Sequence, residues 1–236
     1  MSSIPPLPAL AHELRTPLHG MVGLLALLRT TALDEEQRAH VAALDEAAGA
    51  MLRLVEDALT LARLEAGAVA EEARVPCAPR ALLDSAARTL APLAEARGLA
   101  LALDVAADAP PSVVTQPDRV RQVLLNLAGN AIKYTRRGEV RLRARRDGAD
   151  GLALDVVDTG PGLTAAQRAR LFRAWERLDA GARADVHEDA HADAPIGGSG
   201  LGLVLARALA VRLGGRLEVA SVHGAGSTFT LVLPAG

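Results

Sequence analysis

Asn126, Asn130 and Lys133 are the only asparagines and the only lysine in the chain. Positive charge is carried everywhere else by arginine, so a chain rich in alanine and arginine uses these residue types only where something local requires them. On a helix, positions 126, 130 and 133 lie four and three residues apart and line one face, while Val123, Leu124, Leu127 and Ile132 supply apolar surface elsewhere. A carboxamide oxygen is a neutral, hard ligand suited to a Mg²⁺ that already carries phosphate and water, and a lysine one turn on can pair with phosphate oxygens. The chemistry suggested is Mg-nucleotide binding. The competing reading is an amphipathic helix with a polar face.

Three further stretches have chemical potential. Asp158-Thr-Gly-Pro-Gly-Leu163 follows an apolar run that reads as a strand. A carboxylate at a strand end can accept a hydrogen bond from the exocyclic amine of adenine, and the glycines let backbone approach the base; taken alone, the motif is also an ordinary turn. Gly197-Gly-Ser-Gly-Leu-Gly-Leu203 opens a helix, where free N–H groups and the helix dipole favour phosphate. No strand precedes it, so it is not a dinucleotide fingerprint, and a GxxxxGK[ST] loop is excluded because Ala131 and Ile132 stand before the sole lysine.

In the third stretch, Ala11-His-Glu-Leu-Arg-Thr-Pro-Leu18, a helix would set His12 and Thr16 about 40° apart around its axis and roughly 6 Å apart along it. A neutral imidazole can attack a phosphorus centre while a neighbouring carboxylate holds its other nitrogen; a lone histidine on a bundle helix is otherwise a partly exposed surface residue. His19 lies nearly on the same face. His187 and His191 stand four apart among Asp185, Glu188, Asp189 and Asp193, a spacing that could bind a transition metal if helical, but a polar lid explains them better. His40 and His223 have no evident partners.

The elements that must position these residues follow from periodicity. Pro8 to Arg29 reads as a helix with Leu10, Leu14, Leu18, Met21, Leu25 and Leu28 on its apolar positions, kinked by Pro17. Asp34 and Gln37 make a capping pair for a second helix running to Glu65 and stopped at Gly67, with Val41, Leu44, Ala48, Met51, Val55, Ala58 and Ala62 in 3,4 spacing. A two-helix hairpin cannot bury both stripes by itself, whereas two copies form a four-helix bundle, so a homodimer is expected. Glu71–Arg80 reads as a linker and first strand. Beyond it, Leu99–Val105, Gly138–Arg146, Leu152–Val157, Arg216–Val222 and Ser227–Leu233 read as strands, and Arg80–Arg97, Asp118–Tyr134, Ala165–Trp175 and Leu201–Leu213 as helices. Leu178–Gly197 has no sustained apolar period and is long enough to suggest a mobile lid.

Composition narrows the function classes. The 236 residues are half hydrophobic with 2% aromatics, so the core is Leu, Val and Ala, which suits helix bundles and helix-on-sheet layers. A formal net charge of −2 gives no electrostatic case for nucleic acid or an anionic membrane. Arg143, Arg145 and Arg146 read as the solvated face of a strand. The lone Cys77 rules out a disulfide framework and suits a reducing compartment, and no apolar run is long enough to span a bilayer, so a soluble, cytoplasmic placement is expected.

Taken in order, the segments resemble the catalytic core of a sensor histidine kinase of two-component signalling, over essentially the whole chain. His12-Glu13-Leu-Arg-Thr16-Pro17 is similar to the H box, Asn126 through Tyr134 to the N box, and Asp158-Thr-Gly160-Pro-Gly162 to the first glycine box. Leu171-Phe172-Arg-Ala-Trp175 resembles the F box, Gly198-Ser-Gly200-Leu201-Gly202-Leu the second glycine box, and Gly224-Ala-Gly226-Ser-Thr228-Phe229 the terminal glycine–threonine motif.

The resemblance implies a dimerisation and histidine-phosphotransfer hairpin over residues 1–70, forming a dimeric four-helix bundle, and over residues 71–236 an ATP-binding α/β sandwich of the Bergerat type shared with gyrase and heat-shock chaperone ATPases. By that analogy His12 is the phosphoacceptor, Glu13 assists its proton transfer, and Thr16 helps dephosphorylate the partner. Asn126, Lys133, Tyr134, Gly160, Gly162, Gly198, Gly200, Leu201, Gly202 and Thr228 would line the ATP site, with Asn130 ligating Mg²⁺ and Asp158 reading adenine. The implied partners are a second copy, the receiver domain of a response regulator, and an upstream sensor outside this chain. Two departures stand out: Ala11 where many members carry serine, and Trp175 for a commoner phenylalanine. An ATPase of the same fold, or a dimeric scaffold that binds nucleotide without catalysis, is the rival reading.

Overall fold

The computed structural model describes residues 7–67, 72–149, 151–172 and 200–234, with their side chains except those of 7–13 and Glu65. By internal contacts the chain divides into two units: of the described residues, 7–67 with Gly200 and Leu201 belong to the first and the rest to the second.

The first unit is a hairpin of α1 (Leu7–Leu28) and α2 (Glu35–Glu65). Arg29 pairs with Asp45 and Arg15 with Glu56, so the helices run antiparallel. α1 runs unbroken through Pro17. α2 starts on the capping box that Asp34 and Gln37 promise. The Asp34 carboxylate accepts the Gln37 N–H at 2.8 Å, and the Gln37 side-chain oxygen accepts the Asp34 N–H at 3.1 Å, together stabilising the helix start by about 1 kcal/mol. Gly67, at φ +64, stands just past its end. Leu25, Val41 and Ala48 form a small buried core with Val22 and Leu33 packed against it. Leu14, Met21, Leu24, Leu27 and Leu28 of α1, with Leu44 and Met51 of α2, stay exposed.

The second unit contains β1 (Val75–Cys77), α3 (Pro79–Ala96), β2 (Ala100–Val105), β3 (Val113–Thr115), α4 (Pro117–Tyr134), β4 (Glu139–Asp147), β5 (Gly151–Asp158), α5 (Ala165–Arg170), α6 (Gly202–Arg212), β6 (Arg216–Val222) and β7 (Gly226–Leu233). Five strands form one sheet in the order β2-β4-β5-β7-β6, parallel between β2 and β4 and antiparallel elsewhere; β1 and β3 make a separate small ladder. Helices α3, α4 and α6 contact the sheet, and alternation along the strands decides which face they cover. Leu142 of β4, Leu154 and Val156 of β5 and Leu231 of β7 are fully buried, together with Leu83, Leu124, Leu127, Ile132, Leu205 and Leu209 of the three helices. The expected α/β sandwich is what the structure shows, and its core is the Leu-Val-Ala core that the scarcity of aromatics demands.

The other sheet face corrects one expectation. Arg143 and Arg145 are not simply a solvated face: both donate to the Asp155 carboxylate at 2.9–3.3 Å, and Thr230 donates to it at 2.8 Å. Asp155 is buried, and burial alone would raise its pKa. The hydrogen bonds from Arg145, Thr230 and Arg143 overcome that and hold it below the ordinary carboxylate range. The strand β3 was also unforeseen. Trp175, Gly198 and the lid expected over Leu178–Gly197, with His187 and His191, lie outside the described residues.

Candidate functional site

Pro117 occupies the first turn of α4, where its missing N–H costs nothing. The helix then sets Val123, Leu124, Leu127 and Ile132 into the core and leaves Asn126, Asn130 and Lys133 half-buried along one side. The Asn126 Nδ2 is buried and has no hydrogen-bond partner among the described residues. A side chain added at Gly202, the first residue of α6, would meet the Asn126 carboxamide at 3.9 Å, so the start of α6 lies against that amide. A buried carboxamide donor left unpaired costs about 1–3 kcal/mol, and its position against a helix N-terminus suits a phosphate-bearing ligand. At the other end of the face, Lys133 Nζ lies 3.0 Å from the Tyr134 hydroxyl and 4.5 Å from its ring centroid. Tyr134 is partly exposed, giving the site an aromatic surface.

Asp158 closes β5 and is buried. Its Oδ1 accepts the Gly160 N–H at 2.9 Å and the Ser227 N–H at 3.3 Å. Burial pushes its pKa above the ordinary carboxylate range, against the lowering effect of those two donors. Gly160 is required by space: a Cβ there would sit 2.8 Å from Asp158 Oδ1 and 3.2 Å from Thr135 Oγ1. Gly162, at φ +64, would drive a Cβ into the Val222 carbonyl. The glycines of the motif therefore bring Asp158, the end of α4 and the start of β7 together.

The structure thus assembles Asn126, Asn130, Lys133, Tyr134, Asp158, Gly160, Gly162 and Gly202 in one unit. Gly200, at φ +69, and the buried Leu201 directly precede Gly202 in the chain. Thr228 is not brought to Asp158. It pairs with Val157 across the ladder and takes the opposite sheet face, whereas Ser227 pairs with Asp158 and bonds to Ser221 Oγ at 3.0 Å. Sequence reasoning missed Ser227, although the signal was there. Phe229, Leu231 and Leu233 alternate onto the core face, and counting back by two reaches Ser227. α1 carries positions 12, 13 and 16, and Thr16 is exposed, while the side chains of His12 and Glu13 lie outside the described residues. His19 Nδ1 lies 3.0 Å from its own helix's Arg15 carbonyl, a local contact. Among the described residues no cluster of His, Cys, Asp and Glu could hold a metal by itself, and no helix is long and apolar enough to cross a membrane. A cleft of about 400 Å³ between Asp147, Gly151, Gly215 and Leu233 lies at the far end of the strands and includes none of the site residues.

Two family models match the chain. Residues 7–67 match the His Kinase A (phospho-acceptor) domain, and residues 115–236 match the histidine kinase-, DNA gyrase B-, and HSP90-like ATPase family. Over 224 residues the chain is 34% identical to the signal transduction histidine-protein kinase BarA of Escherichia coli K12, covering 93% of the chain and 23% of BarA. It is 36% identical over 230 residues to the sensory/regulatory protein RpfC of Xanthomonas campestris pv. campestris, covering 95% of the chain and 30% of RpfC. It is 33% identical over 226 residues to the aerobic respiration control sensor protein ArcB of E. coli K12, covering 96% and 28%. The chain therefore spans 23–30% of the length of these relatives. Among solved structures, full-length ShkA in complex with AMPPNP matches with a TM-score of 0.75 at 36% identity, over 97% of this chain and 45% of that one. The Acinetobacter baumannii histidine kinase AdeS, at 22% identity and a TM-score of 0.64 over 95% of this chain and 98% of that one, shares the fold.

Proposed function

The chain belongs to the sensor histidine kinases, whose catalytic core it carries, and from that premise we propose that it transfers the γ-phosphoryl group of ATP to His12 and passes it to an aspartate on a response-regulator receiver. Residues 1–70 serve as the dimerisation and phosphotransfer hairpin and residues 71–236 as the ATP-binding domain. The observation that carries this reading is the buried Asn126 amide, without a partner among the described residues and set against the start of α6 at Gly202, which joins the asparagine helix to the glycine segment in one anion-ready site.

Asp158 accepts the exocyclic amine of adenine, with Gly160 and Gly162 keeping the base's approach clear, and Tyr134 offers the ring an aromatic face. Lys133 supplies positive charge for phosphate oxygens, as do the N–H groups at the start of α6. Asn130, half-buried one turn beyond Asn126 on the same side of α4, suits a Mg²⁺ ligand by the chemistry of its oxygen. Bound there, Mg²⁺ would neutralise charge developing on the phosphates. Catalysis by the chain itself is then positioning and electrostatic complementarity. On α1, His12 attacks, Glu13 assists its proton transfer, and the Thr16 hydroxyl orients water for dephosphorylation of the receiver. Glu13 is adjacent to His12, so it reaches the imidazole only through a favourable rotamer. The ATPase rival needs a water-activating glutamate where this chain has Asn126, and an amide cannot serve as a general base at neutral pH. The partners are a second copy, a receiver domain and an upstream sensor, in a cytoplasmic setting.

Incubation with γ-labelled Mg-ATP tests the reading. Acid-labile, base-stable label on the protein that disappears in His12→Gln, with ATP binding retained, is the expected result. An unlabelled wild-type chain that still binds ATP would leave the scaffold reading standing, and label persisting on His19 would overturn the assignment of the acceptor.

A further inference from the structure

The residues that lead into β1 make contacts that the chemistry above does not use. The Glu72 carbonyl accepts a hydrogen bond from the Gln116 side-chain N–H at 2.8 Å, and the Glu72 carboxylate lies 3.6 Å from the Arg119 guanidinium. Gln116 is the N-cap residue of α4, and Arg119 is in its first turn. Two residues on, Arg74 donates from Nη2 to the Leu213 carbonyl at 2.7 Å. Leu213 directly follows α6, and the N–H groups of Gly214 and Gly215 close that helix end on the Val211 and Ala210 carbonyls. A guanidinium placed there meets the unpaired acceptors of the helix terminus and the negative end of its dipole. Val75–Cys77 then pairs with Val113–Thr115, the strand that leads into α4. The stretch Glu72–Arg74 therefore grips the start of α4 and the end of α6 at once.

These are the two helices of the candidate site. They pack on each other, and away from the strap a Cβ added at Gly202 would lie 3.9 Å from the Asn126 carboxamide. α6 has 11 residues, about 16 Å of helix, so a shift at its C-terminus carries through to Gly202 as movement of a rigid rod.

We propose that Glu72–Arg74 is a positioning strap for the nucleotide site, in which Arg74 fixes α6 relative to α4 and so sets where Gly202 stands against Asn126. Arg74 is a positioning residue: it acts through α6.

The test uses the full chain with Arg74→Ala and Arg74→Lys, read by amide hydrogen exchange and by Mg-ADP binding. Arg74→Ala is expected to raise exchange at Gly214 and Gly215 and to weaken Mg-ADP about fivefold, less than the full worth of one charge-assisted hydrogen bond because Arg74 acts on the site only through α6. Lysine retains a cation within reach of the carbonyl and should restore affinity to within about twofold of wild type. Unchanged exchange and affinity in Arg74→Ala would overturn the strap. So would a rise in exchange spread equally over β4 and β5 without rescue by lysine, since Arg74 would then merely stabilise the domain. The binding arm rests on the proposed nucleotide function, whereas the exchange arm does not: a wild-type chain that fails to bind Mg-ADP sinks the functional reading and leaves exchange at Gly214 and Gly215 to decide the strap.

Discussion

Asp158 serves two ends that burial sets against each other. As a carboxylate it can accept a hydrogen bond from the adenine amine, yet burial raises its pKa, so the ionised form is the costlier one in the free protein. A raised folded pKa means that the group's stabilising contribution is full below the unfolded value and is lost as pH rises through the folded value. Asp158→Asn is therefore expected to raise the thermal midpoint of the free protein at pH 7.5 while weakening Mg-ATP at least about tenfold, the scale of a hydrogen bond to a charged acceptor. The same sign predicts that wild-type affinity declines on acidification before ordinary carboxylates titrate, and calorimetric titrations from pH 8 to 5 on both proteins check this. A midpoint that falls in the variant would mean that Asp158 is structural. Residue types and spacing made Asn126, Asn130, Lys133 and Asp158 legible in the sequence, because each is rare in its setting and each stands in a run whose period is plain. Alternation back from Phe229 puts Ser227 on the core face, but its pairing with Asp158 needed the cross-strand register, which sequence alone leaves free by one residue. Asp155 was not legible. Asp155 is a carboxylate inside the apolar run of β5, and its arginine partners come from a neighbouring strand, Arg143 and Arg145 of β4.

Elements with strong local signals emerged where the sequence places them. The Asp34–Gln37 capping box starts α2 and Gly67 follows its end; the strands of the large sheet start and stop within a residue or two of their apolar runs. β3 escaped because three residues carry no measurable period, and it exists only because β1 pairs with it. The interior of α2 holds a feature that no periodicity reveals. Burial, with Glu56 adding repulsion and Arg53 opposing it, pushes the Asp57 carboxyl up to about 6. By the same linkage, its contribution is complete below the unfolded value near 3.8 and is lost as pH rises through about 6. Asp57→Asn should therefore stabilise the protein against urea at pH 8 by about 1 kcal/mol, a figure discounted for partial exposure. The advantage over wild type should shrink as pH falls toward 5. A difference that stays constant across that range would show that Asp57 titrates normally and that the amide acts by another route.

At the scale of the whole molecule the hairpin has more apolar surface than it can cover. Leu18 and Leu25 of α1 are buried, yet Leu14, Met21 and Leu28 repeat every seven residues on another line of the helix and stay exposed, with Leu24 between them at 64%. α2 repeats the pattern: Val41 and Ala48 are buried, Leu44 and Met51 exposed. Two seams on each helix, one used within the hairpin and one unused, are what a four-helix bundle of two chains requires. Leu24→Glu separates this from a hairpin that simply tolerates exposed leucines. Leu24 contributes little burial to the single chain, so helix content should survive the change. A dimer would lose two buried leucines and acquire two buried carboxylates, weakening association by about 3 kcal/mol or more, over a hundredfold in dissociation constant. Sedimentation equilibrium at micromolar concentration should then give the monomer mass for the variant and twice that for the wild type. Equal masses with undiminished helicity would place the second copy, if there is one, on some other surface, and the heptad line from Leu14 to Leu28 would need a different occupant.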